Sequence, residues 1–267
     1  MIVAQLSDTH VVRPGTSYFD LDTSHFLKEA IDALHALERP PDCVVVTGDL
    51  VNGGRPDEYV RFREVMATLR FPYFVIPGNH DDRDAMRDAL PARTYGESRD
   101  ARVRYAIDDF EIRIVGLDAN GPRPWPGAAF DGETLAWLER TLTSGPPRPT
   151  IVCVHQPPFR TGLHYLDVFG FRGARRLHAI VARHPEIGRV ISGHIHCVRS
   201  ARWGQTLACS GPSTSPQIVP LLLMDGRLVG KRDESAGFAL HEWTANAGFT
   251  STVHRRDSQG RYVETPL

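Results

Sequence analysis

Residues 2–10 read IVAQLSDTH, a short apolar run that ends in two side chains able to bind metals, Asp8 and His10. The same plan recurs at 43–49 (CVVVTGD) and at 73–80 (YFVIPGNH), where a glycine and a polar side chain follow the apolar run. Nearly continuous apolar runs of this length are typical of strands buried on both faces of a sheet. We therefore predict a buried sheet whose strands end in polar residues.

Apolar residues with helical spacing lie between the strand-like runs, at 26–37, 59–69, 135–142 and 177–181. Further strand-like runs occupy 111–117, 151–154 and 189–191. Alternation of strands and helices predicts a layered α/β fold. Asp108 and Asp109 separate two apolar runs as the turn of a hairpin would, so we expect the sheet to be mixed.

Proline, glycine and serine punctuate the chain after Cys209, and the helix–strand alternation stops there. We predict a catalytic domain over 1–215 and a small β extension over 216–267 that acts as a cap or an oligomerisation segment. Two strands, 238–243 and 249–253, joined by a hairpin turn at 246–248, are expected in this extension. Strands this short cannot form a core of their own, so we expect them to pack against the catalytic domain or another subunit, and we predict a homodimer or larger homo-oligomer.

The charge balance excludes several classes of partner. The 267 residues include 31 basic and 32 acidic side chains, giving a formal net charge of -1. Such a chain has no global field that would attract a nucleic acid polymer or an anionic membrane, so we expect a small-molecule substrate. The start of the sequence has no basic and apolar signal region, and no apolar run approaches the roughly 20 residues of a membrane span. A cytoplasmic protein is therefore expected.

Side chains able to bind metals follow five of the predicted strands. Because the carboxyl ends of parallel strands meet at one edge of a sheet, we expect these side chains to converge there. Asp8 with His10, and His194 with His196, are spaced so that in an extended backbone both members of a pair point the same way. The candidate ligands are Asp8, His10, Asp49, Asn79, His155, His194 and His196.

The donor set indicates which metals would bind. Imidazoles with carboxylates and one amide, without a thiolate, suit Fe, Mn, Zn or Co. Seven ligands are too many for one tetrahedral ion. Two ions about 3.5–4 Å apart that share a bridging carboxylate fit both the number of ligands and the chemistry of phosphoester cleavage.

These motifs resemble those of the calcineurin-like metallophosphoesterases. The resemblance rests on Asp8-Thr9-His10, Gly48-Asp49-Leu50, Gly78-Asn79-His80-Asp81, His155 and Gly193-His194-Ile195-His196, and it spans residues 1 to about 215. Within the family, the runs at 50–59 and 77–82 are especially similar to the bacterial glycerophosphodiesterases, and class III cyclic nucleotide phosphodiesterases are also similar. The resemblance implies an αββα sandwich in which layered mixed sheets are flanked by helices.

The resemblance also implies roles for individual residues. One ion would be held by Asp8, His10, Asp49 and His196, and the other by Asp49, Asn79, His155 and His194. Asp49 would bridge the two ions. His80 would lie near the substrate phosphate without binding a metal, and Asp81 would orient it; His10 could assist at the leaving oxygen. Gln156 stands where the family usually has a second histidine, after His155.

The predicted activity is hydrolysis of a small phosphodiester to a monoester and an alcohol. A phosphomonoesterase, a phosphonate monoester hydrolase or a nucleotide pyrophosphatase could use the same metal site. A protein that binds metal for stability alone is a further alternative. The sequence does not determine which alcohol leaves, because the loops that would select it carry no recognisable signal.

Overall fold

The computed structural model describes residues 1–96, 102–121, 127–215, 217–222, 228–234 and 236–267. Two six-stranded sheets form its centre. The strands, numbered along the chain, are β1 Ile2–Leu6, β2 Cys43–Val46, β3 Tyr73–Val75, β4 Arg104–Ile107, β5 Arg113–Leu117, β6 Ala128–Ala129, β7 Thr150–Val154, β8 Phe171–Arg172, β9 Ile187–Ser192, β10 Arg199–Trp203, β11 Thr206–Ser210, β12 Gln217–Leu222, β13 Leu228–Glu234, β14 Gly237–Thr244, β15 Gly248–Arg256 and β16 Tyr262–Pro266.

The first sheet has the order β16-β15-β14-β1-β2-β3, and the second has the order β10-β11-β9-β7-β5-β4. Parallel pairing joins β1 to β2 and β2 to β3, as well as β5 to β7 and β7 to β9. Antiparallel pairing joins β4 to β5 and β1 to β14. The prediction of mixed sheets, including a hairpin turn at Asp108 and Asp109, is therefore confirmed.

Helices cover the outer faces of the two sheets. Their bounds are α1 Thr23–His35, α2 Pro56–Met66, α3 Arg83–Ala89, α4 Gly132–Thr143, α5 His164–Asp167 and α6 Ala174–Arg183, with a 3-10 turn at Ala92–Thr94. One apolar cluster joins α1 and α2 to the first sheet and continues to one face of the second, and another joins α4 and α6 to its opposite face. The layers therefore run helix, sheet, sheet, helix, as expected.

Residues on β7 show how alternation builds these layers. Ile151 and Cys153 pack into the cluster between the sheets, whereas Val152 and Val154 pack against the layer of α4 and α6. Because successive side chains of a strand point to opposite faces, a strand between two apolar layers needs apolar residues at every position. No helix in the described ranges is both long enough and apolar enough to cross a membrane.

The C-terminal strands lie inside the first sheet. Val3 of β1 pairs with His241 of β14, and β15 and β16 extend the sheet beyond them. The two strands and the hairpin predicted within 238–253 are present. β1 pairs with β2, which precedes residue 216, and with β14, which follows it. The boundary predicted at residue 216 therefore does not separate two sheets. Strands β12 and β13 form a separate two-stranded sheet.

Candidate metal centre

The predicted ligands converge at the carboxyl ends of β1, β2, β3, β7 and β9. Ligand atoms of four residues lie within 4.8 Å of one another, and ligand atoms of a second group of three do the same. The first group is Asp8, His10, Asp49 and His196, and the second is Asp49, His155 and His194. Asp49 belongs to both groups, which is the arrangement that a bridging carboxylate requires.

Asn79 adjoins the second group. Its Oδ1 lies 3.1 Å from Nε2 of His155, and that same nitrogen lies 3.3 Å from Oδ2 of Asp49. His155 is held from its other side, because its Nδ1 lies 2.8 Å from the carbonyl oxygen of Thr47. A carbonyl can only accept, so Nδ1 carries the hydrogen and Nε2 is available to a ligand.

The backbone at the predicted ligands is unusual. Five of the seven non-glycine residues with positive φ in the described chain are Asp8 (50°), His10 (41°), Asp49 (51°), His194 (71°) and His196 (53°). The extended geometry predicted for the Asp8–His10 and His194–His196 pairs is therefore wrong. Left-handed turns, which are costly for residues with a Cβ, bring these side chains together instead, and such conformations cluster at functional sites.

Two glycines allow the ligand loops to approach each other. Gly48 has φ of 95°, and a Cβ there would lie 2.3 Å from Nδ1 of His155. A Cβ on Gly78 would lie 2.1 Å from Oδ1 of Asp49. Both distances are far below contact distance, so only glycine fits at these positions.

The residues present fit a metal centre. Nε2 of His10 lies 2.9 Å from Nε2 of His196, and Nδ1 of His10 is buried without a hydrogen-bond partner among the described residues. Two imidazole nitrogens so close repel each other unless a proton or a cation lies between them. The carboxylates of Asp8 and Asp49 are buried in the same cluster, and buried carboxylates need a compensating charge.

The pKa values of the cluster reflect how deeply its members are buried and which charges lie beside them. Burial lowers the pKa of His10 to about 3, and burial together with His155 lowers the pKa of His194 to about 3, so both imidazoles are neutral. Although burial opposes it, the Asp49 carboxylate raises the pKa of His155 to about 9. Burial would raise the pKa of Asp49 itself, but His155 and His80 hold it well below its ordinary value.

His80 lies beside the ligand cluster. Its ring stands edge-on to the His10 ring at a centroid distance of 4.7 Å, and its backbone N–H donates to Oδ1 of Asp49 at 2.9 Å. Its Nδ1 lies 2.7 Å from the carbonyl oxygen of Asn52. That carbonyl oxygen can only accept, so Nδ1 carries the hydrogen.

Asp81 organises the ligand loops. Its carboxylate accepts hydrogen bonds from the backbone N–H groups of Gly78 and Leu50, at 2.8 and 3.1 Å, and from the hydroxyl of Tyr59 at 2.9 Å. Burial and the charge of Asp49 raise the pKa of Asp81 to about 6. In these contacts Asp81 acts on the backbone around Asn79 and Asp49. That it orients His80 stays a prediction.

Comparison with known proteins identifies the family. The calcineurin-like phosphoesterase family model matches residues 1–198. The chain belongs to this family. The chain is 35% identical to a glycerophosphodiester phosphodiesterase of Enterobacter lignolyticus over 82% of its length and 79% of that protein. It is 31% identical to a probable glycerophosphodiester phosphodiesterase of Arcobacter nitrofigilis, covering 94% of this chain and 92% of that one.

A 3',5'-cyclic adenosine monophosphate phosphodiesterase of Pseudomonas aeruginosa is 31% identical over 82% of this chain and 78% of that protein. Among solved structures, a purple acid phosphatase from yellow lupin superposes with a TM-score of 0.71 at 15% identity, covering 98% of this chain and 52% of that one. A dimetal phosphatase from Danio rerio gives a TM-score of 0.64 at 15% identity over 99% and 98% of the two chains. These structures support the fold.

Sequence analysis missed Asn120, which supports the second ligand group of this phosphoesterase. Its Nδ2 donates to the carbonyl oxygens of Pro77 and Gly78 at 3.0 and 2.8 Å, and its Oδ1 accepts from Nε2 of Gln156 at 2.9 Å. Asn120 thus links the loop of Asn79 to the residue after His155. The signal was available, because Asp118 and Asn120 follow β5 as the ligands follow the other strands.

Tyr18 was also missed. Its ring stacks on His10 at a centroid distance of 4.7 Å and an interplanar angle of 12°. Burial raises the pKa of its phenol, so the hydroxyl stays protonated. No periodic pattern marks Tyr18, since it lies in the irregular segment between β1 and α1.

Proposed function

We propose that the chain is a binuclear metal-dependent phosphodiesterase that hydrolyses a small phosphodiester to a monoester and an alcohol. The observation that carries this proposal is Asp49, whose carboxylate belongs to both groups of ligand atoms. A carboxylate between two ions is characteristic of sites that clamp the attacking and leaving oxygens of a displacement at phosphorus. The names of the relatives in the family support a phosphodiester substrate.

In this proposal Asp8, His10, Asp49 and His196 hold one ion, and Asp49, Asn79, His155 and His194 hold the other. The donors are nitrogen and oxygen, so Fe, Mn, Zn or Co are the metals we propose. When bound, the ions would neutralise the charge of the phosphate and supply an activated water. His10 and His194 are neutral and each offers a lone pair to a metal, whereas, against the effect of burial, the carboxylates of Asp49 and Asp8 raise the pKa values of His155 and His196, so these two imidazoles would release a proton when an ion binds.

His80 would act on the leaving oxygen. Its Nδ1–H is fixed on the carbonyl of Asn52, so its Nε2 is the atom that can carry a proton to the departing alcohol. Its ring is partly exposed at the edge of the cluster, whereas His10 beside it is buried. A general acid needs such a position, in reach of both the substrate and the solvent.

We propose a glycerophosphodiester as the substrate, and a cyclic nucleotide as the second candidate. The first choice rests on two relatives with that printed activity, one matched over 94% of this chain. The second rests on the cyclic nucleotide phosphodiesterases that match 82% of it. Initial rates with glycerophosphoethanolamine and with cyclic AMP, at equal enzyme and metal concentrations, would rank the two.

The test of the activity class compares a diester with a monoester. Full-length protein reconstituted with Mn²⁺ should hydrolyse bis-para-nitrophenyl phosphate with a higher kcat/KM than para-nitrophenyl phosphate. A preference for the monoester would support the phosphomonoesterase alternative. Metal binding without turnover of either compound would support a structural role for the metals and contradict the proposal.

We further propose that 216–267 contributes a cap or an oligomerisation contact. Strands β12 and β13 support this, because they form a two-stranded sheet outside the two central sheets. Removing the whole segment would also remove β14, the neighbour of β1, so truncation is a poor test. Light scattering of the full-length protein is a direct test. A monomeric mass at all protein concentrations would contradict the proposal of an oligomer.

A further inference from the structure

A groove far larger than the space beside the metal cluster lies between the free edges of the two sheets. Strand β3 is the edge of the first sheet and β4 is the edge of the second. The groove between them has a volume of about 1050 Å³, whereas the cavity that adjoins His194 has about 260 Å³. None of the predicted metal ligands lines the groove.

The groove has partly exposed aromatic rings on its walls. Phe71 and Tyr73 come from the start of β3, and Phe110 comes from the β4–β5 turn. Each of the three is only partly buried. Phe74 and Tyr105, which are buried, line the groove as well, and the Phe74 ring lies 6.2 Å from the Phe110 ring. Rings that keep an accessible face in a concave site offer stacking surfaces to a planar ligand.

Three arginines line the same groove, and all are exposed. Arg63 donates a hydrogen bond to the carbonyl oxygen of Ala89 at 3.1 Å. Within the described part of the chain, no acidic side chain lies at ion-pair distance from Arg63, Arg70 or Arg93. Their charges are therefore available to an anion.

The arginines and the rings line the same groove, so one ligand can contact both. Arg63 and Arg93 also act on Tyr73, because their positive charges oppose the rise that burial causes in the pKa of its phenol. Arg104 lines the groove too, but it is paired with Glu133. Asp109 is the acidic residue among the groove lining, so the lining is strongly positive in a chain whose net charge is -1.

We propose that this groove binds a small planar anion, an aromatic ring that carries a phosphate, as a nucleoside monophosphate does. The ring would stack on the faces of Phe71, Tyr73 or Phe110, and the phosphate would pair with Arg70 and Arg93. Guanidinium groups recognise phosphate through paired hydrogen bonds. Small-molecule sites are concave and mostly apolar with a few charged groups, and this volume is near the upper end of their usual range of about 300–1,000 Å³.

The test separates the groove from the metal centre. Full-length Asp49→Ala protein, which is expected to lose its metals, is titrated calorimetrically with AMP, and we expect one molecule to bind per chain. Adding Arg70→Glu and Arg93→Glu should weaken this binding at least tenfold. Arg202→Glu is the matched control, because this exposed arginine lies on β10, at the opposite edge of the second sheet from β4.

Ribose 5-phosphate and adenosine test the two halves of the ligand. Each should bind at least tenfold more weakly than AMP. Equal affinity for ribose 5-phosphate would overturn the aromatic part of the proposal, and binding of a polyglutamate peptide instead of AMP would indicate a protein partner. Loss of AMP binding on Asp49→Ala alone would show that AMP binds at the metal centre. If the double variant fails to fold, Arg70→Gln and Arg93→Gln singly should each weaken binding.

Discussion

Asp49 and His80 should respond to substitution in opposite ways, although the two residues are hydrogen-bonded to each other. Asp49→Ala removes the one carboxylate that both ligand groups share. Each group then loses a charged donor, so we expect the variant to lose tightly bound metal and activity together. His80→Ala leaves every proposed ligand in place, so metal content should stay at the level of the unmodified protein.

The size of the His80 effect follows from its contacts. The ring donates a hydrogen bond to the carbonyl of Asn52 and is partly exposed, and the loss of such a bond should cost about 0.5–1.5 kcal/mol of stability. The loss of a general acid lowers rates by about 10²–10⁴, equivalent to roughly 3–5 kcal/mol at the transition state. The rate loss should therefore greatly exceed the stability loss.

Elemental analysis of the purified variants, with kcat measured on bis-para-nitrophenyl phosphate and on glycerophosphoethanolamine, checks both expectations. Nitrophenolate is a good leaving group that needs little help from an acid. His80→Ala should therefore slow hydrolysis of glycerophosphoethanolamine far more than hydrolysis of bis-para-nitrophenyl phosphate. Loss of both metals from His80→Ala would refute the division into ligands and proton donor. Equal slowing of the two diesters would refute the role at the leaving oxygen.

Three further predictions follow from particular contacts. Gly78→Ala should sharply reduce metal content, because its Cβ would lie 2.1 Å from Oδ1 of Asp49, while Gly145→Ala, where nothing lies within 4 Å of the new Cβ, should retain the metals. Calorimetric titration of metal-free protein with metal should show two affinities, since Asn79 contributes a neutral amide to the second ligand group, which should bind its ion more weakly. Asn79→Asp should narrow the difference between the two affinities. Two equal metal affinities in the unmodified protein would contradict this prediction. Burial lowers the pKa of His241 from 6.5 to about 3. As pH falls below about 6.5, His241 is therefore protonated in the unfolded chain but stays neutral in the folded chain. This residue alone should lower the free energy of unfolding by roughly 1.4 kcal/mol per pH unit. Urea denaturation near pH 7 and pH 5 should show a smaller drop for His241→Asn, and equal drops would argue against the assignment.

The sheet and its polar strand ends could be predicted because they depend on local signals. β1 and β2 coincide with the apolar runs at 2–6 and 43–46, since strands buried on both faces are nearly continuous in apolar residues. Gln5 is a buried polar exception, and its amide donates hydrogen bonds to Thr47 and Ser192. The pairing of β14 with β1 could not be predicted in the same way. It joins residues more than 200 positions apart, such as Val3 and His241, and no short-range pattern specifies that partner.

The candidate site was predictable in composition but not in conformation. Residue types at strand ends were enough to nominate Asp8 and His10, but an i, i+2 spacing suggests an extended strand and gives no sign of left-handed φ angles. Asn120 was overlooked for a related reason. Its position after β5 was a signal, but its hydrogen bonds are to the carbonyl oxygens of Pro77 and Gly78, and backbone acceptors in a distant loop cannot be identified from the sequence.

Left-handed turns at ligands raise the question of what holds them, since each costs on the order of 1–2 kcal/mol for a residue with a Cβ. Hydrogen bonds between the loops supply an answer. The N–H of Asp8 donates to the carbonyl of Gly48, and that of His10 to the carbonyl of Asp49, each at 3.0 Å. The hydroxyl of Ser213 donates to the carbonyl of Asp8 at 2.9 Å. Buried bonds of this kind are worth about 1 kcal/mol each and cost more when broken, so they offset the strain at Asp8 and His10. The chain itself therefore fixes the directions of the ligand side chains, which is the preorganisation that a metal site used for catalysis requires.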